Sequence, residues 1–300
     1  MPALASLNHH FAIPDHLAFT ASDYGLPVAE IDNELASATI ALQGAHVMTF
    51  QPHGEAPVLW LSEQARLQPG KAVRGGIPIC WPWFGAHATD TGFPAHGFAR
   101  ILNWRVIVSE ALADGSTRVA FELQKNATAR AQWPYICHLR CIVTVGLALT
   151  VELITENTGD TAFELSEALH TYFAVGDIEN IRILGLDGCS YFDKLDGGTR
   201  IQRGPIDIHT EVDRVFMDTI SDCVIEDSLL KRRIRIAKSG SRSTVVWNPW
   251  AAKASRMGDM GENGYRSMVC VESANAMNSL VTLAPGDTHH LRAVYSVEAL

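Results

Sequence analysis

Short segments rich in Val, Ile, Leu, Thr and aromatic residues recur along the whole chain, separated by turn signals such as Asp114-Gly115, Gly197-Gly198, Ser239-Gly240 and Pro285-Gly286. Branched and aromatic side chains suit the pleated, half-buried surface of a strand, and Gly-containing pairs favour tight reversals. The pattern predicts strands at residues 38–42, 104–109, 118–124, 138–145, 147–155, 181–186, 233–237, 244–247, 268–272, 280–283 and 290–297. So many strands require two packed sheets, and the expected class is all-β: a large antiparallel β-sandwich. Helix is scarce. One short helix is expected after Asn126, whose side chain can cap residues 127–132 before Trp133-Pro134 stops it. No linker, repeat or shift of composition divides the chain, so residues 1–300 read as one domain. The polar, glycine-containing stretch 196–213 reads as an excursion between strands that could cover a site.

Two segments carry chemistry inside this pattern. In ELSEALHTYF, residues 164–173, Leu165, Leu169 and Phe173 recur every fourth residue, as in a helix. Strand alternation explains the same spacing, with Ser166, Ala168, His170 and Tyr172 on the other face, and strand is the preferred reading. His170 then projects among small and polar neighbours, as a cleft-lining residue would, or else is a hydrogen-bonded structural histidine. In Met268-Val-Cys-Val-Glu-Ser, alternation places Glu272 with Met268 and Cys270. A carboxylate on so apolar a strand is unusual. Burial raises its pKa and suits it to base chemistry if the protein holds it ionised, and a buried ion pair is the alternative.

Composition narrows the partners. The 300 residues are 47% hydrophobic and 19% charged, which is ordinary for a folded protein. A formal charge of −9 gives no overall attraction for nucleic acid or acidic ligands, so any anion needs a local basic site. No secretory leader and no run of about 18 apolar residues is evident, so neither secretion nor a membrane partner is expected. The six cysteines lack CxxC spacing and read as reduced thiols of a cytoplasmic protein. Asn126-Ala127-Thr128 matches a glycosylation acceptor that should stay unmodified there. The chain has no HExxH, paired CxxC or Walker loop, and neither a metal nor a cofactor is expected.

A local basic site is suggested by VRGGIPICWPWFGAHATDTGFPAHGFAR, residues 73–100. Arg74 and Arg100 bracket Gly75-Gly76, the run Trp81-Pro-Trp-Phe84 and His96-Gly-Phe98. Guanidinium groups match carboxylate or phosphate oxygens, glycines allow close approach to a ligand, and tryptophan faces could wall a sugar ring. The same residues also occur in surface ion pairs and cores. Trp247-Asn-Pro-Trp250 reads as a strand end that could border a pocket.

Five motifs in order, VRGGIPICWPWFG, HGFAR, ALHTYFAVGDI, VWNPW and VCVES, resemble the hexose-6-phosphate 1-epimerase branch of the aldose 1-epimerase (galactose mutarotase) superfamily, over a region from about Leu35 to the C-terminus. The resemblance implies a galactose mutarotase-like sandwich with a concave sugar-binding face. It implies that His170 protonates the ring oxygen and Glu272 removes the anomeric hydroxyl proton. It further assigns Arg74 and Arg100 to the 6-phosphate, and His96 and Asp213 to sugar oxygens. Some members carry Gln before HGFAR, where this chain has Ala95 and one donor fewer. The implied ligand is a small hexose 6-phosphate. An epimerase for unphosphorylated aldoses and a non-catalytic sugar-phosphate sensor are the other readings. Glycoside hydrolysis normally needs two spaced carboxyl groups, where this chain offers a His/Glu pair. The sequence sets no oligomeric state, and a monomer is a plausible form.

Overall fold

The computed structural model describes residues 3–300. Two eight-stranded sheets dominate it, and their named strand pairs are antiparallel. The first runs in the order Ile181–Leu184, Cys223–Asp227, Arg232–Ser239, Thr288–Ala299, Ala148–Asn157, Cys137–Val145, Thr117–Leu123, Trp104–Ala111. The second runs Gly198–Ile201, Ser190–Asp193, Val212–Phe216, Ser243–Asn248, Met268–Asn275, Glu167–Leu169, Ile79–Cys80, with Tyr172–Ala174 also paired to Met268–Asn275. A four-stranded sheet spans Leu17–Ala21 to His46–Pro52, and Phe163–Leu165 pairs with Val281–Leu283.

Each of the eleven expected strands is present, with ends shifted by a few residues. The helix Ala127–Gln132 starts where Asn126 Oδ1 accepts the Ala129 N–H at 2.8 Å. The six cysteines are free. Among the elements not anticipated are Leu17–Ala21, Pro27–Asp32, Ser190–Asp193, Gly198–Ile201 and Val212–Phe216. Gly198–Ile201 explains why the stretch 196–213 reads as an excursion. It is an edge strand, three of its four residues are exposed, and it has no apolar alternation to betray it.

The core lies between the two large sheets. Val269 and Val271 share one apolar cluster with Leu149, Val151 and Leu153 and with Leu291, Ala293 and Tyr295. Each fully buried side chain of this size contributes about 1.5–3 kcal/mol. Because a strand alternates, the same packing turns Met268, Cys270 and Glu272 to the opposite face of the second sheet, where separate small clusters gather around Tyr172, Trp247 and Met268 and around Cys80, Ala168 and Val245. That face carries the candidate site.

The segment 164–173 is extended, as expected, but is cut into Phe163–Leu165, Glu167–Leu169 and Tyr172–Ala174. The Thr171 N–H donates to the Leu169 carbonyl at 2.8 Å, which tightens the backbone at His170, and the His170 N–H donates to the Pro78 carbonyl at 3.0 Å. Leu169 and Phe173 enter the main core, and the Thr171 hydroxyl meets the Tyr295 hydroxyl at 2.7 Å. His170 and Tyr172 therefore point to the other side.

Candidate active site

Register brings the two sequence candidates together across about a hundred residues of chain. Leu169 pairs with Ser273 and Tyr172 with Cys270, so His170, in the gap between those two short strands, and Glu272, on the strand beside it, lie on one face. His170 Nε2 stands 3.4 Å from Glu272 Oε1. The His170 side chain is 12% exposed and that of Glu272 1%, and neither His170 Nδ1 nor Glu272 Oε2 has a partner among the described residues. Two such orphans are costly unless something else satisfies them, and the residues that carry them line a cavity of about 210 Å³.

Arg74, His96, His170, Asp213 and Glu272 all line this cavity, together with Phe84, Trp247, Lys194 and Lys253. Arg74 is fixed by its Nη1, which donates to the Tyr172 hydroxyl at 2.8 Å, and its Nε, which donates to Asp259 Oδ1 at 3.2 Å. Tyr172 stacks on His170 with ring centroids 5.0 Å apart and on Trp60 at 5.9 Å. Asp213 pairs in register with Trp247, and its Oδ1 lies 3.3 Å from Lys194 Nζ. Lys253 Nζ donates to Glu211 at 2.8 Å. His96 accepts the Gly85 N–H on Nδ1 at 3.3 Å, which leaves Nε2–H as its donor.

Three expectations change. Arg100 is not on the cavity lining: its Nη2 donates to the Ala95 carbonyl at 2.7 Å, and it reaches the site through its charge. Trp81 and Trp83 do not wall the cavity; both belong to the core, with the Trp81 indole N–H donating to Thr155 and that of Trp83 to the Pro94 carbonyl. Phe84 and Trp247 take that place. Gly75 and Gly76, both at positive φ, serve close packing of chain on chain, since a Cβ would strike the carbonyl of Trp60 at one and of Val47 at the other. Lys194 and Lys253 were not anticipated. Lys194 sits beside the polar excursion and Lys253 in a short helix, Trp250–Ala254, and neither position has a pattern that sets it apart from a solvated lysine.

The electrostatics push the pair toward neutrality. Burial, aided by the charge of Asp213, holds the Glu272 carboxyl well above the usual carboxylate range, with Lys194 and Arg100 pulling the other way. Burial, then the charges of His96, Arg100 and Arg74, holds His170 well below its ordinary value. His96 is depressed to about 3 by burial and by Arg100, Lys194 and Arg74. Burial thus biases Glu272 toward the acid and His170 toward the free imidazole, and with one proton between them such a pair can give a proton to one atom while taking one from its neighbour.

Sheet order and site together define a galactose mutarotase-like β-sandwich enzyme. The chain belongs to the aldose 1-epimerase family, whose description "Aldose 1-epimerase" matches residues 27–296. It is an isomerase that interconverts sugar anomers. It is 39% identical over 253 residues to a protein of Escherichia coli (strain K12) named "Putative glucose-6-phosphate 1-epimerase", covering 84% of each chain. A protein of the same name from Cenchrus ciliaris is 36% identical over 83% of this chain and 78% of its own. The crystal structure of "a putative mutarotase (YeaD)" from Salmonella typhimurium superposes with a TM-score of 0.90 at 34% identity, covering 97% of this chain and 96% of that one.

Proposed function

We propose that the substrate is a hexose 6-phosphate, that Glu272 and His170 are the base and acid, and that residues 1–300 act as one catalytic domain in the cytoplasm. The observation that carries the reading is the buried His170/Glu272 pair, with one unpartnered atom on each member, on the lining of a cavity to which Arg74, Lys194 and Lys253 bring three cationic side chains in a chain of net charge −9. The names of the relatives favour the phosphorylated sugar.

In the reaction Glu272 takes the anomeric hydroxyl proton while His170 protonates the ring oxygen, and the bond from C1 to the ring oxygen breaks to give the aldehyde. Rotation about C1–C2 presents the other carbonyl face. On reclosure the hydroxyl returns its proton to His170, and Glu272 returns its proton to the carbonyl oxygen. Each partner supplies about 100 to 10,000-fold. Arg74 holds the phosphate, while Asp213 and His96 Nε2–H bind sugar hydroxyls. A phosphate against Arg74 also offsets one of the charges that depress His170, and so shifts the shared proton toward the acid that needs it. Arg100 acts by charge, and Lys194 and Lys253 supply the remaining local attraction.

Charge-assisted hydrogen bonds contribute roughly 1.5–3 kcal/mol, so Arg74→Ala should slow anomer exchange of glucose 6-phosphate by about 10 to 150-fold and that of glucose little. NMR magnetisation transfer with the two sugars side by side measures this. Equal loss on both would remove Arg74 as the phosphate ligand and favour an unphosphorylated aldose. Binding of the phosphate without exchange would favour a sensor.

A further inference from the structure

His170 and Glu272 share their face with a third metal-ligating side chain that the acid–base reaction does not use. Cys270 lies two residues before Glu272 on the same strand, and pairs in register with Tyr172, two residues after His170. One donor atom each from His170, Cys270 and Glu272 falls within 4.8 Å of the others. The geometry points to an inhibitory site for a thiophilic divalent cation of the zinc class, formed by His170 and Glu272 on the cavity lining and by the buried Cys270 behind them.

Imidazole, thiolate and carboxylate are the ligand set zinc favours, and its bond lengths place tetrahedral donors about 3.5 Å apart. His170 Nε2 and Glu272 Oε1, at 3.4 Å, already have that separation, so closure requires roughly 1 Å of movement at the thiol. Glu272 is 1% exposed and its Oε2 has no hydrogen-bond partner among the described residues, which leaves a buried carboxylate with unused ligand capacity. Deprotonated Cys270 and Glu272 together balance a 2+ charge, so the buried complex is neutral and avoids the cost of an unpaired ion. The cavity supplies an open fourth position. Arg74 and Lys194 on the lining oppose the cation and favour a soft metal that bonds the sulfur over a hard one such as Mg²⁺. The loss of activity rests on the proposed acid–base roles; the binding does not.

Cobalt(II), added to the purified full-length protein without any sugar, should produce thiolate-to-metal charge-transfer absorption that is absent in Cys270→Ser and displaced by zinc. Zinc should inhibit anomer exchange, and a chelator should restore it. Cys270→Ser should keep the basal exchange rate while needing at least about tenfold more zinc, with Cys270→Ala as a second variant should the serine disturb folding. No absorption in the wild type, or both variants binding cobalt as the wild type does, would overturn the site. Because the absorption is read without substrate, it stands or fails apart from the identity of the sugar.

Discussion

Two histidine–glutamate pairs are built on buried glutamates of the second sheet, Glu167 and Glu272, and they behave in opposite ways. His289 Nε2 is 2.9 Å from Glu167 Oε1, which also accepts from Asn275 Nδ2 at 3.1 Å. His170 and Glu272 are 3.4 Å apart with no third partner. Burial depresses both histidines, but at His289 the hydrogen bond and charge of Glu167 prevail and the pKa rises. At His170 the neighbouring charges are positive, and the pKa falls. Among the described residues Glu167 Oε2 lacks a partner just as Glu272 Oε2 does, so an orphan atom alone does not mark a site. Glu272 differs in lining a cavity that also holds Arg74, Lys194 and Lys253. The first pair is a hydrogen-bonded structural contact of the kind that Glu272 itself could have made on sequence grounds, and the second is pushed by burial toward its neutral forms.

Substitutions at the two glutamates should separate these roles. Glu272→Gln should lower anomer exchange by about 100 to 10,000-fold, whereas Glu167→Gln should leave it within a few-fold of wild type. Stability should respond the other way. Removing one partner of a buried pair costs roughly 3 kcal/mol, so denaturant unfolding should show that loss in Glu167→Gln, and a smaller change in Glu272→Gln, which exchanges a desolvated carboxyl for an amide.

Their pH dependences should also oppose each other. The raised pKa of His289 contributes stability that is fully present below its unfolded value of about 6.5 and is lost as pH rises through the folded value. The lowered pKa of His170 contributes stability that is present above about 6.5 and is lost as pH falls toward and through its folded value. Unfolding series across pH should lose the alkaline decline in His289→Asn and part of the acid decline in His170→Asn; identical curves would erase the distinction. Exchange rate should follow a bell. Its acid limb falls below the ordinary histidine range, where the pair gains a second proton, and its alkaline limb above the ordinary carboxylate range, where the shared proton is lost.

Much of this arrangement was legible in the chain. Alternation put Glu272 with Cys270 and away from Val271, and His170 away from Leu169 and Phe173, because a strand packed on one face must obey a period of two. That His170 and Glu272 meet was not derivable from that pattern, since pairing between distant strands leaves no local mark. Trp81 and Phe84 show the limit for aromatics: both are large and apolar, one is in the core and the other at the cavity, and only the fold distinguishes them. Asp213 was found by motif but was placed at the end of an excursion, whereas it lies in Val212–Phe216, bonded to Ser243–Asn248. Lys194 and Lys253 escaped because a lysine turned toward a cavity has the same sequence surroundings as one turned toward water.

The central claim, that one of two similar buried pairs is the acid–base centre, is tested most directly by magnetisation transfer between the anomers of glucose 6-phosphate in wild type, Glu167→Gln and Glu272→Gln at one protein concentration. Fast exchange in the first two and near-background exchange in the third is the predicted result. Full exchange in Glu272→Gln, or its loss only in Glu167→Gln, would contradict it.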